Sequence, residues 1–158
     1  MLCIVKITGM KKKFFSTNND WTGLVTRLTI GLIIFPHGAQ KLLGWFGGYG
    51  FSGSMAFFTG TMHLPWIIGF IVIMIEFFGM LLLIAGVACR VWALLTIVLM
   101  TGILITSHLD NGFFMNWFGN QKGEGYEFDL LVIGLSVATL VNGSGKLSVD
   151  GWLSAGNR

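Results

Sequence analysis

The stretch PWIIGFIVIMIEFFGMLLLIAGVA, residues 65–88, contains 24 residues and a single charged side chain, that of Glu76. A helix needs about 20 apolar residues to cross the roughly 30 Å hydrocarbon core of a bilayer, so this stretch predicts a transmembrane helix. A carboxylate at the middle of such a helix is costly unless it has a partner or a function. Residues 65–88 therefore predict a membrane protein with an ionisable group in its interior.

The composition of the whole chain also indicates that the protein lies in lipid. Hydrophobic residues make up 54% of the 158 residues and charged residues 11%, whereas a soluble domain is about a quarter charged. Too few charges remain to cover a globule in water, and one membrane domain is expected. The net charge of +3 is spread over helix ends and the N-terminus and forms no basic stripe, so nucleic acid is not an expected partner.

Three further apolar runs, at residues 21–43, 91–109 and 126–141, bring the number of predicted spans to four. The runs lack the alternation of a transmembrane β-strand, so each is predicted to be a helix. The run at 126–141 is the shortest of them. The expected fold is an all-α bundle of four transmembrane helices, within a membrane domain at residues 21–150.

Short tails flank this predicted domain. Residues 1–20 form a basic tail, and because Met10 and three lysines resemble a natural start, residues 1–9 are interpreted as an upstream extension. No small-residue cleavage pattern follows the first apolar run, which therefore predicts an uncleaved signal anchor. Residues 151–158 form the C-terminal tail.

The distribution of basic residues predicts the orientation. Four lysines lie in the N-terminal tail, Arg90 lies in the turn between the second and third spans, and Lys146 and Arg158 follow the fourth span. Cytoplasmic connections are enriched in Lys and Arg, so both termini are placed in the cytoplasm of a bacterial inner-membrane protein. The connections 44–64 and 110–125 then lie outside. Their many aromatic residues predict an interfacial belt, with a portal for an apolar ligand as the alternative.

Helical phase predicts which faces of the first two spans meet. At about 100° per residue, Arg27, Gly31 and Gly38 share one face of the first span, and Gly79 lies at the edge of the face that carries Glu76. Small residues let helices approach closely in a membrane. Gly31, Gly38 and Gly79 are therefore predicted helix-packing positions, and Arg27 is predicted to share an interior with Glu76.

Further ionisable residues are predicted to face this interior. His108 lies at the outer end of the third span, and at the start of the fourth Glu127 and Asp129 point in roughly opposite directions, so phase does not choose between these acids. The candidate ligand-binding or proton-handling residues are Arg27, His37, Lys41, Glu76, His108 and Glu127. The structural alternatives are an Arg27 that snorkels to headgroups, a Lys41 that anchors the interface, and a buried pair of Arg27 with Glu76.

Several stretches of this chain resemble the DoxX family of small four-helix membrane proteins. They are Pro36-His-Gly-Ala-Gln-Lys-Leu-Leu-Gly-Trp-Phe-Gly-Gly, Glu76-x-x-Gly-x-x-Leu-x-x-x-Gly leading to Arg90, Asn111-Gly-Phe-Phe-Met-Asn-Trp, Gly123-Glu-Gly-Tyr-Glu-Phe and Gly143-Ser-Gly-Lys-Leu-Ser-Val-Asp. The family takes its name from a subunit of a thiosulfate:quinone oxidoreductase, and other relatives are linked to redox complexes at the membrane. The residues of this chain to which the resemblance points are Arg27, which precedes the first of these stretches, and His37, Gly38, Lys41, Glu76, Arg90, Glu127 and Asp150, which lie within them.

The resemblance favours a redox-associated subunit of a quinone-linked oxidoreductase. His37 or His108 would donate a hydrogen bond to a quinone carbonyl, with Glu76 or Glu127 as proton relay. A small proton-coupled transporter, gated by Arg27 and Glu76 and assembled as an oligomer, is a second hypothesis. A membrane assembly or scaffold protein is the third. The expected partners are the lipid bilayer and either a second copy of the chain or a redox protein.

Metal and haem sites have little support in the sequence. Cys3 and Cys89 are the only cysteines, and their separation excludes both a CxxC site and a disulfide framework. No metal is therefore expected. Haem between His37 and His108 is geometrically allowed, but two histidines without a further signature are weak evidence for it, and quinone is the favoured cofactor.

Overall fold

The computed structural model describes residues 19–155, which form six α-helices and no strand. The helices are α1 (Trp21–Leu43), α2 (Gly50–Ala56), α3 (Trp66–Ala85), α4 (Cys89–Asn111), α5 (Glu127–Asn142) and α6 (Val149–Ala155). The prediction of an all-α fold is confirmed. The predicted upstream extension at residues 1–9 and most of the basic tail lie outside the described residues.

Within residues 19–155, two helices are long and apolar enough to cross a membrane. They are α3, with a mean hydropathy of 2.8, and α4, with a mean hydropathy of 2.0. Each contains one turn of π-helix, at Ile75–Gly79 in α3 and at Leu104–His108 in α4. Turns of this kind occur mostly as single interruptions of α-helices and often at functional sites.

Local signals explain where the helices begin and end. Asp20 caps α1 by accepting a hydrogen bond from the Gly23 amide at 2.9 Å, and Gly44 ends the helix in the left-handed conformation with φ 74°. α1 has the predicted bounds and continues through Pro36. α3 stops earlier than predicted, because Gly86 adopts φ 79° directly after Ala85.

Two short helices were not predicted. α2 and the π-turn Phe57–Thr61 lie within the predicted connection 44–64, and most of α6 lies where a C-terminal tail was expected. Both sequences are short and contain glycine, so neither gives a helical pattern long enough to stand out. Asp150 ties α6 to the bundle, because its carboxylate accepts hydrogen bonds from the Ala88 and Cys89 amides at 2.8 and 3.1 Å.

The bundle has two different ends. The turn end contains the start of α1, the α3–α4 turn at residues 86–88, the end of α5 and α6. The loop end contains the two long connections, 44–65 and 112–126. At the turn end Arg90 donates hydrogen bonds to the carbonyls of Leu140 and Val141, which closes the last turn of α5.

Candidate ligand-binding site

A cavity of about 380 Å³ lies towards the loop end of the bundle. It is enclosed by α1, α3, α4, α5 and the connection between the last two of these helices. Its lining residues are Ile34, His37, Lys41, Glu76, Met100, Ile103, His108, Met115, Glu124, Gly125, Phe128 and Asp129. The volume is that of a small-molecule site, and the lining combines an apolar wall with a few polar groups, as ligand pockets usually do.

The first polar group of the cavity is an ion pair between α1 and α3. Lys41 Nζ lies 2.5 Å from Oε2 of Glu76, whose side chain is 4% exposed while that of Lys41 is 27% exposed. Glu76 lies in the π-turn Ile75–Gly79. The carboxylate is therefore buried behind the ammonium group, and the ammonium group is the part of the pair that solvent or a ligand can reach.

The close approach of α1 and α3 at this point depends on Gly38. A Cβ atom at position 38 would lie 2.4 Å from the carbonyl carbon of Glu76 and 2.5 Å from its oxygen. Lys41 follows Gly38 by almost one helical turn, so its side chain reaches the carboxylate of Glu76. Gly31 and Gly79 also lie at tight contacts, with the side chains of Ile84 and Trp92 respectively.

The second polar group joins α4 to α5. Nδ1 of His108 lies 2.6 Å from Oδ2 of Asp129, which is completely buried, while the histidine side chain is 23% exposed. His108 lies in the π-turn Leu104–His108, and Asp129 lies in the first turn of α5. The other oxygen of Asp129, Oδ1, is buried and has no hydrogen-bond partner among residues 19–155.

The two pairs have the same design. In each, a buried carboxylate contacts the nitrogen of a side chain that is about one-quarter exposed and lines the cavity. A buried carboxylate that is hydrogen-bonded to its partner fixes the position of that partner. The cavity therefore presents two positioned nitrogen groups, one from α1 and one from α4. His37 adds a second imidazole to the lining, with an exposed side chain.

The buried pair of Arg27 with Glu76, which was a structural alternative, is not formed, and Arg27 lies far from the cavity where its grouping with Glu76 was predicted. Arg27 is 1% exposed and lies at the turn end, where its guanidinium donates hydrogen bonds to backbone carbonyls. The acceptors are Leu83, Ile84, Ser144, Lys146 and Leu147. Arg27 therefore neither lines the cavity nor snorkels to the surface. It joins the end of α3 to the segment that follows α5.

Glu127 also differs from its prediction, since it is absent from the cavity lining. Its Oε1 accepts a hydrogen bond from the Met115 amide at 2.9 Å, and Oε2 of Glu124 accepts one from the Asn116 amide at 2.8 Å. These contacts hold the connection between α4 and α5 over the cavity. The acid of α5 that faces the interior is Asp129, which the sequence identified only as one of two alternatives.

The Gly38 contact gives a test of the packing that positions Lys41. Gly38→Ala is expected to destabilise the protein by about 1–3 kcal/mol, because the added methyl group meets backbone atoms that cannot move aside. Gly102→Ala in α4 is the matched control, since a Cβ there meets no atom within 4 Å. Its effect should be neutral or slightly stabilising. Thermal unfolding in detergent measures both, and equal effects would contradict the proposed contact.

Comparison with known proteins agrees with the features described above. The model of the family described as DoxX matches residues 23–109, which is more than half of the chain. The chain belongs to the DoxX family. This DoxX protein is 30% identical over 135 residues to "Putative oxidoreductase CatD" of Bacillus subtilis (strain 168), and the alignment covers 85% of this chain and 89% of that relative. No solved structure matches this DoxX protein.

Membership of this family places the protein among membrane proteins, in agreement with the two long apolar helices. The matched range includes Lys41, Glu76 and His108 and ends before Asp129. Of the four residues that form the two cavity pairs, Lys41, Glu76 and His108 therefore lie within the range that the family model matches.

Proposed function

We propose that this protein is a four-span inner-membrane subunit of an oxidoreductase system, with both termini in the cytoplasm. In this proposal the cavity binds the head group of a quinone or of a similar apolar carbonyl compound. The observation that carries the proposal is the pair of positioned nitrogen groups, of Lys41 and His108, in one largely apolar cavity. A carbonyl oxygen in apolar surroundings needs such a donor, because an unpaired polar group there is costly.

The surroundings of the cavity support a ligand that arrives from the membrane. The connection that covers it carries Trp117 and Phe118 with 76% and 91% of their surfaces exposed. Aromatic side chains of this kind favour the interface between lipid and water. The cavity would then lie near the outer membrane surface, within reach of an apolar ligand that is dissolved in the bilayer.

The redox role rests on the family and on the printed name of one relative. The family model matches residues 23–109, and the relative from Bacillus subtilis is named an oxidoreductase. The transporter hypothesis assumed a gate formed by Arg27 and Glu76. These two residues lie apart and have different partners, so the structure contains no such gate within residues 19–155. A scaffold role needs no cavity with buried ion pairs, so the geometry favours ligand binding.

A pair of substitutions on one helix tests the proposal. Ile103→Trp would fill the cavity that Ile103 lines, whereas Ile105→Trp places the same side chain at a position that is 61% exposed on the outside of α4. We expect purified protein in nanodiscs to bind a short-chain quinone saturably, and Ile103→Trp to weaken binding at least tenfold. Ile105→Trp should bind like the unmodified protein.

Equilibrium dialysis, with empty nanodiscs as the blank, separates binding by the protein from partition into lipid. The absence of saturable binding by the unmodified protein would refute the proposed function. Saturable binding that Ile103→Trp leaves unchanged would place the ligand elsewhere and refute the assignment of the cavity.

A further inference from the structure

We propose that the cavity recognises ligands with two hydrogen-bond acceptors, one bound by Lys41 Nζ and the other by His108 Nε2. In this arrangement Asp129 is the positioning residue that fixes the imidazole of His108. This inference rests on the proposed function and deepens it, because it specifies a dicarbonyl ligand and adds a residue outside the range that defines the family.

The first step concerns the number of donors that the cavity offers. Lys41 belongs to α1 and His108 to α4, so the two nitrogen groups enter the cavity from different helices. Both are partly exposed, and each is held from behind by a buried acid. A ligand with a single carbonyl uses one of them, whereas a ring with carbonyls at opposite positions can use both.

The second step concerns the ring nitrogens of His108. Nδ1 is taken by Oδ2 of Asp129 at 2.6 Å, which leaves Nε2 as the nitrogen available to a ligand. Nε2 donates to a ligand when it carries a proton, whichever of Nδ1 and Oδ2 holds the proton of the contact between them. The proposal therefore places one proton on Nε2 and a second proton between Nδ1 and Oδ2 of Asp129 when the ligand is bound.

The third step is the balance of charge around the cavity. The ammonium group of Lys41 is paired with Glu76, and Asp129 forms an ion pair with no basic group other than His108 within residues 19–155. Glu124, a further acid of the lining, is exposed. A buried carboxylate needs compensation, and the proton that lies between Oδ2 of Asp129 and Nδ1 of His108 supplies it.

The last step is the assignment of Asp129. This side chain is fully buried, and its contact with the cavity is made through His108. In Asp129→Asn the amide can either accept a hydrogen bond from Nδ1 or donate one to it, so this variant does not remove the positioning contact. In Asp129→Leu the ring has no partner at Nδ1, so Nε2 of His108 is no longer held towards the ligand.

The experiment compares two ligands of nearly equal size, menadione with two carbonyls and 1-tetralone with one. We expect the unmodified protein to bind menadione at least tenfold more tightly than 1-tetralone. Asp129→Leu should reduce this preference to less than threefold. Asp110→Leu, which changes an exposed acid near the end of α4, should leave the preference unchanged.

A second variant and an NMR spectrum test the roles of His108 and Asp129 directly. His108→Gln should reduce the preference as Asp129→Leu does. Nitrogen-15 spectra of protein labelled at histidine should show a proton on Nε2 of His108 in the menadione complex of the unmodified protein, whereas Asp129→Leu should show a mixture of the two tautomers. These spectra also report directly whether each variant is folded.

Failure of this inference differs from failure of the proposed function. If menadione and 1-tetralone bind equally well and Ile103→Trp weakens both, the cavity is a ligand site but recognition at two acceptors is wrong. An Nε2 of His108 that carries no proton in the complex would overturn the inference in the same way. If neither compound binds saturably, the proposed function itself fails.

Discussion

Replacement of Arg27 by methionine is expected to destabilise the protein by at least about 3 kcal/mol, because several buried carbonyl groups lose their donor at once. The guanidinium of Arg27 donates to the carbonyls of Leu83 and Ile84 at the end of α3 and to three carbonyls between Ser144 and Leu147. Each buried acceptor left without a donor costs about 1–3 kcal/mol. The segment after α5 should detach from the bundle.

Two further variants make this prediction specific. Arg27→Lys keeps the charge but loses the planar group that reaches several acceptors, so an intermediate loss is expected. Lys122→Met removes a charge from an exposed position and should change stability by less than about 0.5 kcal/mol. Tryptophan fluorescence during unfolding in detergent gives the three values. An Arg27→Met protein as stable as Lys122→Met would show that the contacts of Arg27 contribute nothing.

Replacement of Lys41 by methionine is expected to cost about 3–5 kcal/mol, because it leaves the carboxylate of Glu76 buried without its charge partner. Combining this change with Glu76→Leu removes both charges. An apolar pair of similar volume often restores stability at a buried site of this kind. The double variant should therefore be more stable than Lys41→Met alone, although it lacks one of the two nitrogen groups of the cavity.

The double variant is expected to regain stability without regaining ligand binding. The double variant should recover at least half of the lost stability in the same unfolding measurement and still bind menadione at least tenfold more weakly than the unmodified protein. Equal instability of the single and double variants would contradict a buried ion pair. Full recovery of binding in the double variant would exclude Lys41 from the ligand site.

The sequence predicted the helices well because their apolar runs are long. It also predicted a common interior for Glu76 and the histidines, since helical phase depends only on spacing. The partner of Glu76 could not be obtained in this way, because phase places Arg27 and Lys41 on the same stripe. The choice between them depends on the register of two antiparallel helices.

That register follows from one contact, between Gly38 and the backbone of Glu76. Lys41 lies three residues beyond Gly38 and reaches the carboxylate. Arg27 lies eleven residues before Gly38, about 16 Å away along the helix, and therefore meets Ile84 at the end of α3. Sequence alone indicated that these glycines allow close packing, but not which backbone atoms they would touch.

For a related reason, the sequence could not show which of Glu127 and Asp129 faces the interior of the bundle. These two acids lie on opposite sides of α5, and both find partners in the structure. Which side faces inward depends on how α5 packs against α4, and α4 changes its helical period at Leu104–His108, just where His108 meets Asp129. A constant angle of about 100° per residue does not hold through such a turn.

The most direct test of the account is to locate a bound ligand by photolabelling. A quinone that carries a photoreactive group on its ring would be irradiated with the protein in nanodiscs, and the labelled peptides identified by mass spectrometry. We expect labelling at cavity residues, such as Met100, Ile103 and Phe128, that excess menadione suppresses. Labelling spread over exposed positions of α4, such as Val98 and Ile105, and unaffected by menadione would contradict a ligand site inside the bundle.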